Sequence, residues 1–234
     1  MAYGRALIAR MAKRLAAAGF IGQAKGVNKF ANYVLPGGEH YTEWFITAPN
    51  LSVEYWGPHF DLPNIVAHVR TTERTIPAGD CLLVLEEIQS DWNQELREAI
   101  VGARARHPTN ADDVDLIEWD DDVDPPPFNP YRNHWLEAAM RVMLVLAANH
   151  GFAGIAWLPG KLHAERIPWA NADGLQTFYD RIVPAAVEKL AKSWNAKLDT
   201  AQFPTLSRNF RVRKVVGAEK WCVFNLASGP VVSG

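Results

Sequence analysis

The segment Cys81-Leu82-Leu83-Val84-Leu85-Glu86-Glu87-Ile88-Gln89-Ser90-Asp91-Trp92 joins an unbroken apolar run to two carboxylates, an amide, a hydroxyl and a third carboxylate. Charge at the end of a buried strand must be solvated, paired or used, and sites in α/β proteins gather at such strand ends. A second polar-dense segment lies upstream, from His59-Phe60-Asp61-Leu62-Pro63-Asn64 through Ala67-His68-Val69-Arg70 to Arg74. Carboxylate, imidazole and guanidinium together are what proton transfer or anion binding requires. The candidate catalytic groups are Glu86, Glu87, Asp91 and His68. Arg70, Arg74, Asn64, Gln89, Ser90 and His59 are the candidate substrate-binding groups. The plainer alternative is that Arg and Glu on adjacent strands form a structural ion pair and that His68 is a core residue.

These side chains meet only if the chain folds back on itself. A strand over residues 65–71 places His68 and Arg70 on one face and Ala67, Val69 and Thr71 on the other. A turn through Ile76-Pro77-Ala78-Gly79-Asp80 returns the chain antiparallel, setting residues 82–88 beside 66–71. Five successive apolar residues read as a strand covered on both faces.

The remaining pattern supplies the scaffold. Residues 2–18 carry Leu7, Ile8, Met11 and Leu15 at helical spacing before Gly19. Phe30–Leu35 and Tyr41–Ala48 read as strands joined by a turn at Pro36-Gly37-Gly38. Helical patterns follow from Trp92 to Ala105 and from Arg132 to Asn149, the second with an apolar stripe of Leu136, Ala139, Met140, Met143, Leu144 and Ala147. A strand at Gly154–Leu158 then completes half of a parallel crossover. A helix from about Gly174 to Trp194 is expected to kink or divide at Pro184. Residues 196–198, 210–216 and 221–226 read as closing strands, the last two joined by residues 217–220. The fold class is mixed α/β (α+β): a central, largely antiparallel mixed sheet with flanking helices and a helix–strand–helix unit. Residues 1–29 read as a basic helix and arm, and 30–234 as one domain with an acidic, Pro-rich insertion at about 107–130.

Composition excludes several classes. The 234 residues are 48% hydrophobic with net charge −2, which is an ordinary globular composition without the field that nucleic acid as main partner would imply. The distribution is uneven. No acidic residue precedes Glu39, whereas eight acidic residues and no base lie between Asp112 and Asp124. Nucleic-acid contact is expected only through the basic arm. Cys81 and Cys222 show no metal-ligand spacing and read as small buried hydrophobes in a reducing compartment. No metal site is expected. No apolar run approaches the ~20 residues that cross a bilayer, and Arg10, Lys13 and Arg14 interrupt any secretory core. The basic start also resembles a transit peptide, but a helix or arm of the mature protein is the preferred reading.

Several spaced segments taken in order, Pro36-Gly37-Gly38-Glu39-His40-Tyr41, His59–Asn64 with Ala67–Arg70, Glu86–Trp92 and Gly154-Ile155-Ala156-Trp157, resemble a module of the large polyvalent proteins of bacteriophages, prophages and conjugative elements. The resemblance covers roughly Phe30 to Leu198. This chain departs from the module's usual pattern at Glu39-His40-Tyr41-Thr42-Glu43 and at Gly160-Lys161-Leu162-His163. The resemblance implies a viral or mobile-element origin and action in the host bacterial cytoplasm or packaged in the virion.

Three functions from different classes are consistent with these features. In the first, an acyltransferase related to GCN5 N-acetyltransferases, Glu86 or Glu87 takes a proton from the acceptor and Tyr179, in Phe178-Tyr179-Asp180, protonates the departing thiolate. Acetyl-coenzyme A would be its cofactor, although no Gly-rich phosphate loop precedes the helix at residue 92. The second is another transferase or a hydrolase, ADP-ribosyltransferase-like, acting on a protein or nucleotide-containing substrate in a His/Arg/Glu cleft with NAD or a divalent metal. The third is a virion component or an inhibitor of a host bacterial protein, whose nine tryptophans and acidic tract form a contact surface.

Overall fold

The apolar run and its charged end form one strand at the middle of a seven-stranded sheet. In the computed structural model, which describes residues 21–23, 34–48, 51–106, 125–193, 198–206 and 215–225, the strands are β1 (Ile21–Gln23), β2 (Glu39–Thr47), β3 (Ile65–Thr75), β4 (Cys81–Gln89), β5 (Gly154–Trp157), β6 (Leu198–Leu206) and β7 (Val215–Asn225). Their spatial order is β1-β2-β3-β4-β5-β7-β6. Only β4 and β5 run parallel, in register from Leu82 opposite Gly154 to Leu85 opposite Trp157. All other neighbours are antiparallel. The expected mixed, largely antiparallel sheet is the fold observed.

The β3–β4 hairpin closes where its turn residues require. The Ile76 N–H donates to the Asp80 carbonyl and the Gly79 N–H to the Ile76 carbonyl, both at 2.9 Å. Gly79 sits at φ +94°, a conformation that L side chains rarely adopt. Ala67, Val69, Leu83, Leu85 and Ile88 enter the main core on one face of the sheet. Leu82 and Val84 join Ala156, Leu158, Leu162 and Phe203 on the other, so β4 is covered on both sides as its composition requires.

Helices α1 (Asp91–Arg106) and α2 (Trp135–Asn149) lie in the connection from β4 to β5. The six residues of the expected α2 stripe are all buried in the main core. After β5 come α3 (Gly160–Arg166), α4 (Ala172–Thr177), a π-helical turn (Phe178–Ile182) and α5 (Val183–Ser193). Pro184 does not divide this run. The backbone stays helical from the π turn into α5, with Val183 at φ −60° and ψ −50°, and the regular i→i−4 ladder is interrupted in the π turn just before Pro184.

Two expectations are corrected, and one helix stands where none was expected. That helix is Gly160–Arg166, and Gly160 fits there because an added Cβ would lie 2.4 Å from the Gln176 Cα. Leu35 is not in a strand. The closing pair is β6 with β7, in which residues 217–220 are strand rather than turn: Gly217 faces Thr205 and Lys220 faces Gln202. The N-terminal helix, the strand residues 30–33 and the acidic tract 107–124 lie outside the described residues, as do the side chains of β7, including Cys222. Cys81 is a half-buried free thiol. Among the described residues no helix is long and apolar enough to cross a membrane.

Candidate functional site

A β-bulge decides which way the carboxylates point. The β3–β4 register runs Val69 to Ile88 and Arg70 to Glu87, then jumps to Thr71 opposite Leu85, leaving Glu86 as the extra residue. A bulge turns two consecutive side chains toward one face. Glu86 and Glu87 therefore both reach partners on the β3 face that carries His68, Arg70, Thr72 and Arg74, opposite the main core.

Glu86 has no exposed surface. Its carboxylate accepts from Thr72 Oγ1 at 2.7 Å, Arg74 Nη2 at 2.9 Å, Arg166 Nη1 at 3.2 Å and the Leu35 N–H at 3.3 Å. Arg74 also donates to the carbonyls of Leu35 and Pro36, at 2.8 and 3.0 Å. Two guanidiniums around one carboxylate satisfy its buried charge and tie β3, β4, α3 and the segment before β2 together. Glu86 and Arg74, expected as catalytic and substrate-binding groups, are thus held in an interior clamp.

Glu87 forms an ion pair with Arg70 nearer the surface. Beside them Tyr41 donates its hydroxyl to Glu43 Oε1 at 2.5 Å, and burial, reinforced by Glu43, pushes the Tyr41 phenol up. Further along the same face, His59 Nδ1 lies 2.9 Å from Asp91 Oδ2. His68 is 2% exposed, and neither ring nitrogen makes a hydrogen bond of good geometry, although the Gln89 side chain lies near enough to pull the imidazole up slightly. Burial holds its imidazole down to about 4, against the pull of Asp91 and with help from Arg70 and His59. Phe60 packs edge-on against both Phe45 and His68.

Two expected binding groups have local duties. Asn64, at φ +56°, accepts the Tyr55 N–H at 2.8 Å and donates to the Val53 carbonyl at 3.0 Å, pinning the 53–64 loop. Ser90 donates to the Val66 carbonyl at 2.6 Å and accepts from the Asn93 N–H at 3.3 Å, anchoring the start of α1. Gln89 lies across from His68.

The second feature is the parting of β4 from β5. Their pairing stops at Leu85 and Trp157, while β4 continues to Gln89. The edge of β4 that β5 leaves is buried and met by side chains: Arg166 Nη2 donates to the Glu86 carbonyl at 2.7 Å, and the Ile88 N–H donates to the Tyr179 hydroxyl at 3.1 Å. Tyr179 is held by Trp157 Nε1, which donates to its carbonyl at 3.1 Å, and by His163, stacked on its ring at 3.5 Å between centroids. Burial pushes the Tyr179 phenol up. Arg166 Nη2 lies 3.1 Å from His163 Nδ1. Since a guanidinium can only donate, Nδ1 is the acceptor and Nε2 carries the proton, without an acceptor. Burial, and secondarily Arg166, lowers the His163 imidazole well below its ordinary range.

The structure brings Glu86 together with Arg74, Glu87 with Arg70, and His59 with Asp91, and sets Tyr179 against the backbone of β4. Tyr41, Glu43, His163 and Arg166 were missed. Period-two alternation of Tyr41 and Glu43 with buried Phe45 was available as a signal, as was the helical i,i+3 spacing of His163 and Arg166. Among the described residues no group of three or more His, Cys, Asp or Glu could hold a metal. No family model, curated protein or solved structure matches the chain.

Two predictions follow from this geometry. Glu86→Gln leaves two buried guanidiniums facing a neutral amide and is expected to cost about 3–5 kcal/mol, with a smaller loss for Glu87→Gln; urea denaturation of both variants checks the order. The second concerns acid. An unfolded imidazole takes its proton near pH 6.5 whereas folded His68 resists to about 4, so stability is lost as pH falls through that window. His68→Gln should flatten this loss in melting curves taken from pH 7 to 4, leaving the part that His163 contributes with the same sign.

Proposed function

We propose that the protein is an acyltransferase of the kind related to GCN5 N-acetyltransferases, a bacteriophage or mobile-element enzyme that modifies a host or viral target from an acyl thioester. The observation that supports this reading is the parallel pair of β4 and β5, which parts after Leu85 and Trp157 and leaves the edge of residues 86–89 that faces away from β3 to side chains. Such a parting offers N–H and C=O groups to an extended, amide-bearing acyl arm.

The residues fit the two ends of acetyl-coenzyme A unequally. The acyl arm finds the Ile88 N–H and Tyr179 hydroxyl, whose mutual hydrogen bond it would replace. The phosphates find no cradle. Helix α1 opens with Asp91, whose charge opposes an anion, and the Asn93 N–H is taken by Ser90 Oγ.

Tyr179 suits the role of general acid. It is the proton donor that lies on this backbone, its hydroxyl accepting from the Ile88 N–H at 3.1 Å and donating to the Ile88 carbonyl at 3.4 Å; burial pushes the phenol up, so it gives its proton only to a strongly basic group such as a departing thiolate. Glu87 borders the acceptor side but is neutralised by Arg70. The same ion pair weighs against the cleft reading of an ADP-ribosyltransferase or hydrolase, because Arg70 is already engaged and is not offered to an anionic substrate.

The test is thiol release from S-acetylpantetheine and from acetyl-coenzyme A with mixed amine and alcohol acceptors. Release is expected from the phosphate-free donor, falling by roughly 10²-fold or more in Tyr179→Phe. No release from either donor contradicts the proposal.

A further inference from the structure

We propose that the groove between α1, the start of α2 and the π turn with α5 is a binding site for a small aromatic carboxylate. The acyltransferase reading uses none of its side chains, so the two stand or fall separately. The groove has a volume of about 500 Å³, within the range of small-molecule sites. Its walls come from distant parts of the chain: Arg97 on α1, Trp135 and Glu137 on α2, Phe178 and Ile182 on the π turn, and Lys189 on α5.

The π turn supplies the apolar side. It sets Phe178 and Ile182 on the groove, while Tyr179 between them is buried against the β4 backbone, and turns of this kind are frequent at functional sites. Trp135 and Phe178 rest in part on the main core. Their rings lie 9° from parallel with centroids 6.1 Å apart, an arrangement that a third flat ring can extend by offset stacking. Ile182 is 47% exposed, and a ring laid on it would take that apolar surface out of water.

The charges select an anion of one unit. Glu137 and Lys189 form an ion pair. The Lys189 hydrogen bond and, after it, the charges of Lys189, His134 and Arg141 hold the Glu137 carboxyl below its ordinary range, so the pair is neutral as a unit. Arg97 differs. Among the described residues it makes no ion pair or hydrogen bond, and the positions three and four places away on α1 are Asn93, Gln94, Ile100 and Val101, none of them acidic. An unmatched guanidinium beside an apolar wall suits a carboxylate, whose two oxygens it can take together. A phosphate dianion would bring a second negative charge towards Glu137, and an ammonium would leave Arg97 unmatched.

The test titrates the full chain with 2-naphthoate and with its neutral counterpart 2-naphthylmethanol, followed by calorimetry and amide NMR. One saturating equivalent of 2-naphthoate is expected, with the largest shifts at Phe178, Ile182 and Ala185. The alcohol should bind more weakly by roughly 5-fold or more at low salt. Arg97→Gln should lower the acid to the affinity of the alcohol. Ala185→Phe, which sets a ring into the groove from α5, should block both ligands. Both positions are exposed, so melting curves of the variants should match that of the native chain. Equal binding of acid and alcohol by the native chain, shifts confined to other surfaces, or no saturation by millimolar 2-naphthoate overturns the proposal. So does an advantage of the acid that survives intact in Arg97→Gln.

Discussion

A carboxylate with no exposed surface can remain ionised only if cations and N–H or O–H donors surround it, and Glu86 draws these from three other parts of the chain, β3, α3 and the segment before β2. Removing such ions from water costs several kcal/mol each, so the arrangement survives only with its geometry intact. Arg74 carries the constraint to the Leu35 and Pro36 carbonyls. Arg166 carries it to α3 and, through the Glu86 carbonyl, to the backbone of β4 just past the point where β5 departs. The parting of the two parallel strands is thereby held by the same charge that packs the interior beneath it.

The bulge at Glu86 separates two jobs that adjacent residues could not otherwise perform on one face. Glu86 turns inward to the clamp, while Glu87 turns to the rim with Arg70. Around that rim the polar groups are matched in pairs, Tyr41 with Glu43 and His59 with Asp91. His68 and His163 differ: both are buried, and each has ring nitrogen capacity unused. An unpartnered buried polar group costs about 1–3 kcal/mol, and two of them near the C-terminal end of β4 are what a site that receives polar ligand atoms would hold in readiness.

Much of this was legible in the residues. The apolar run of β4, the turn at Ile76–Asp80 and the stripe of α2 have periodicities that tertiary packing reinforced, and the meeting of Arg70 with Glu87 followed from the hairpin. What escaped has physical reasons. Strict alternation puts Glu86 and Glu87 on opposite faces, and a bulge leaves no mark in composition. Lys161–Arg166 is made mostly of good helix formers, but seven residues are too few to show an apolar period, and the close approach to Gln176 that Gly160 permits leaves no mark in the sequence. The turn-like Gly217–Lys220 segment is drawn into β7 by the long ladder with β6. Asn64 and Ser90 look like ligand-binding residues in sequence because the side chains that recognise ligands are also those that cap helices and pin loops.

The claim that the β4–β5 parting receives an acyl arm is tested most directly by amide NMR during titration with S-acetylpantetheine, a thioester without nucleotide phosphates. The account predicts the largest shifts at the Ile88 and Glu87 amides and in the Tyr179 ring, as the Ile88 N–H exchanges its phenol partner for the ligand. Shifts confined to other surfaces, or an unperturbed Ile88 amide at saturating ligand, would contradict it.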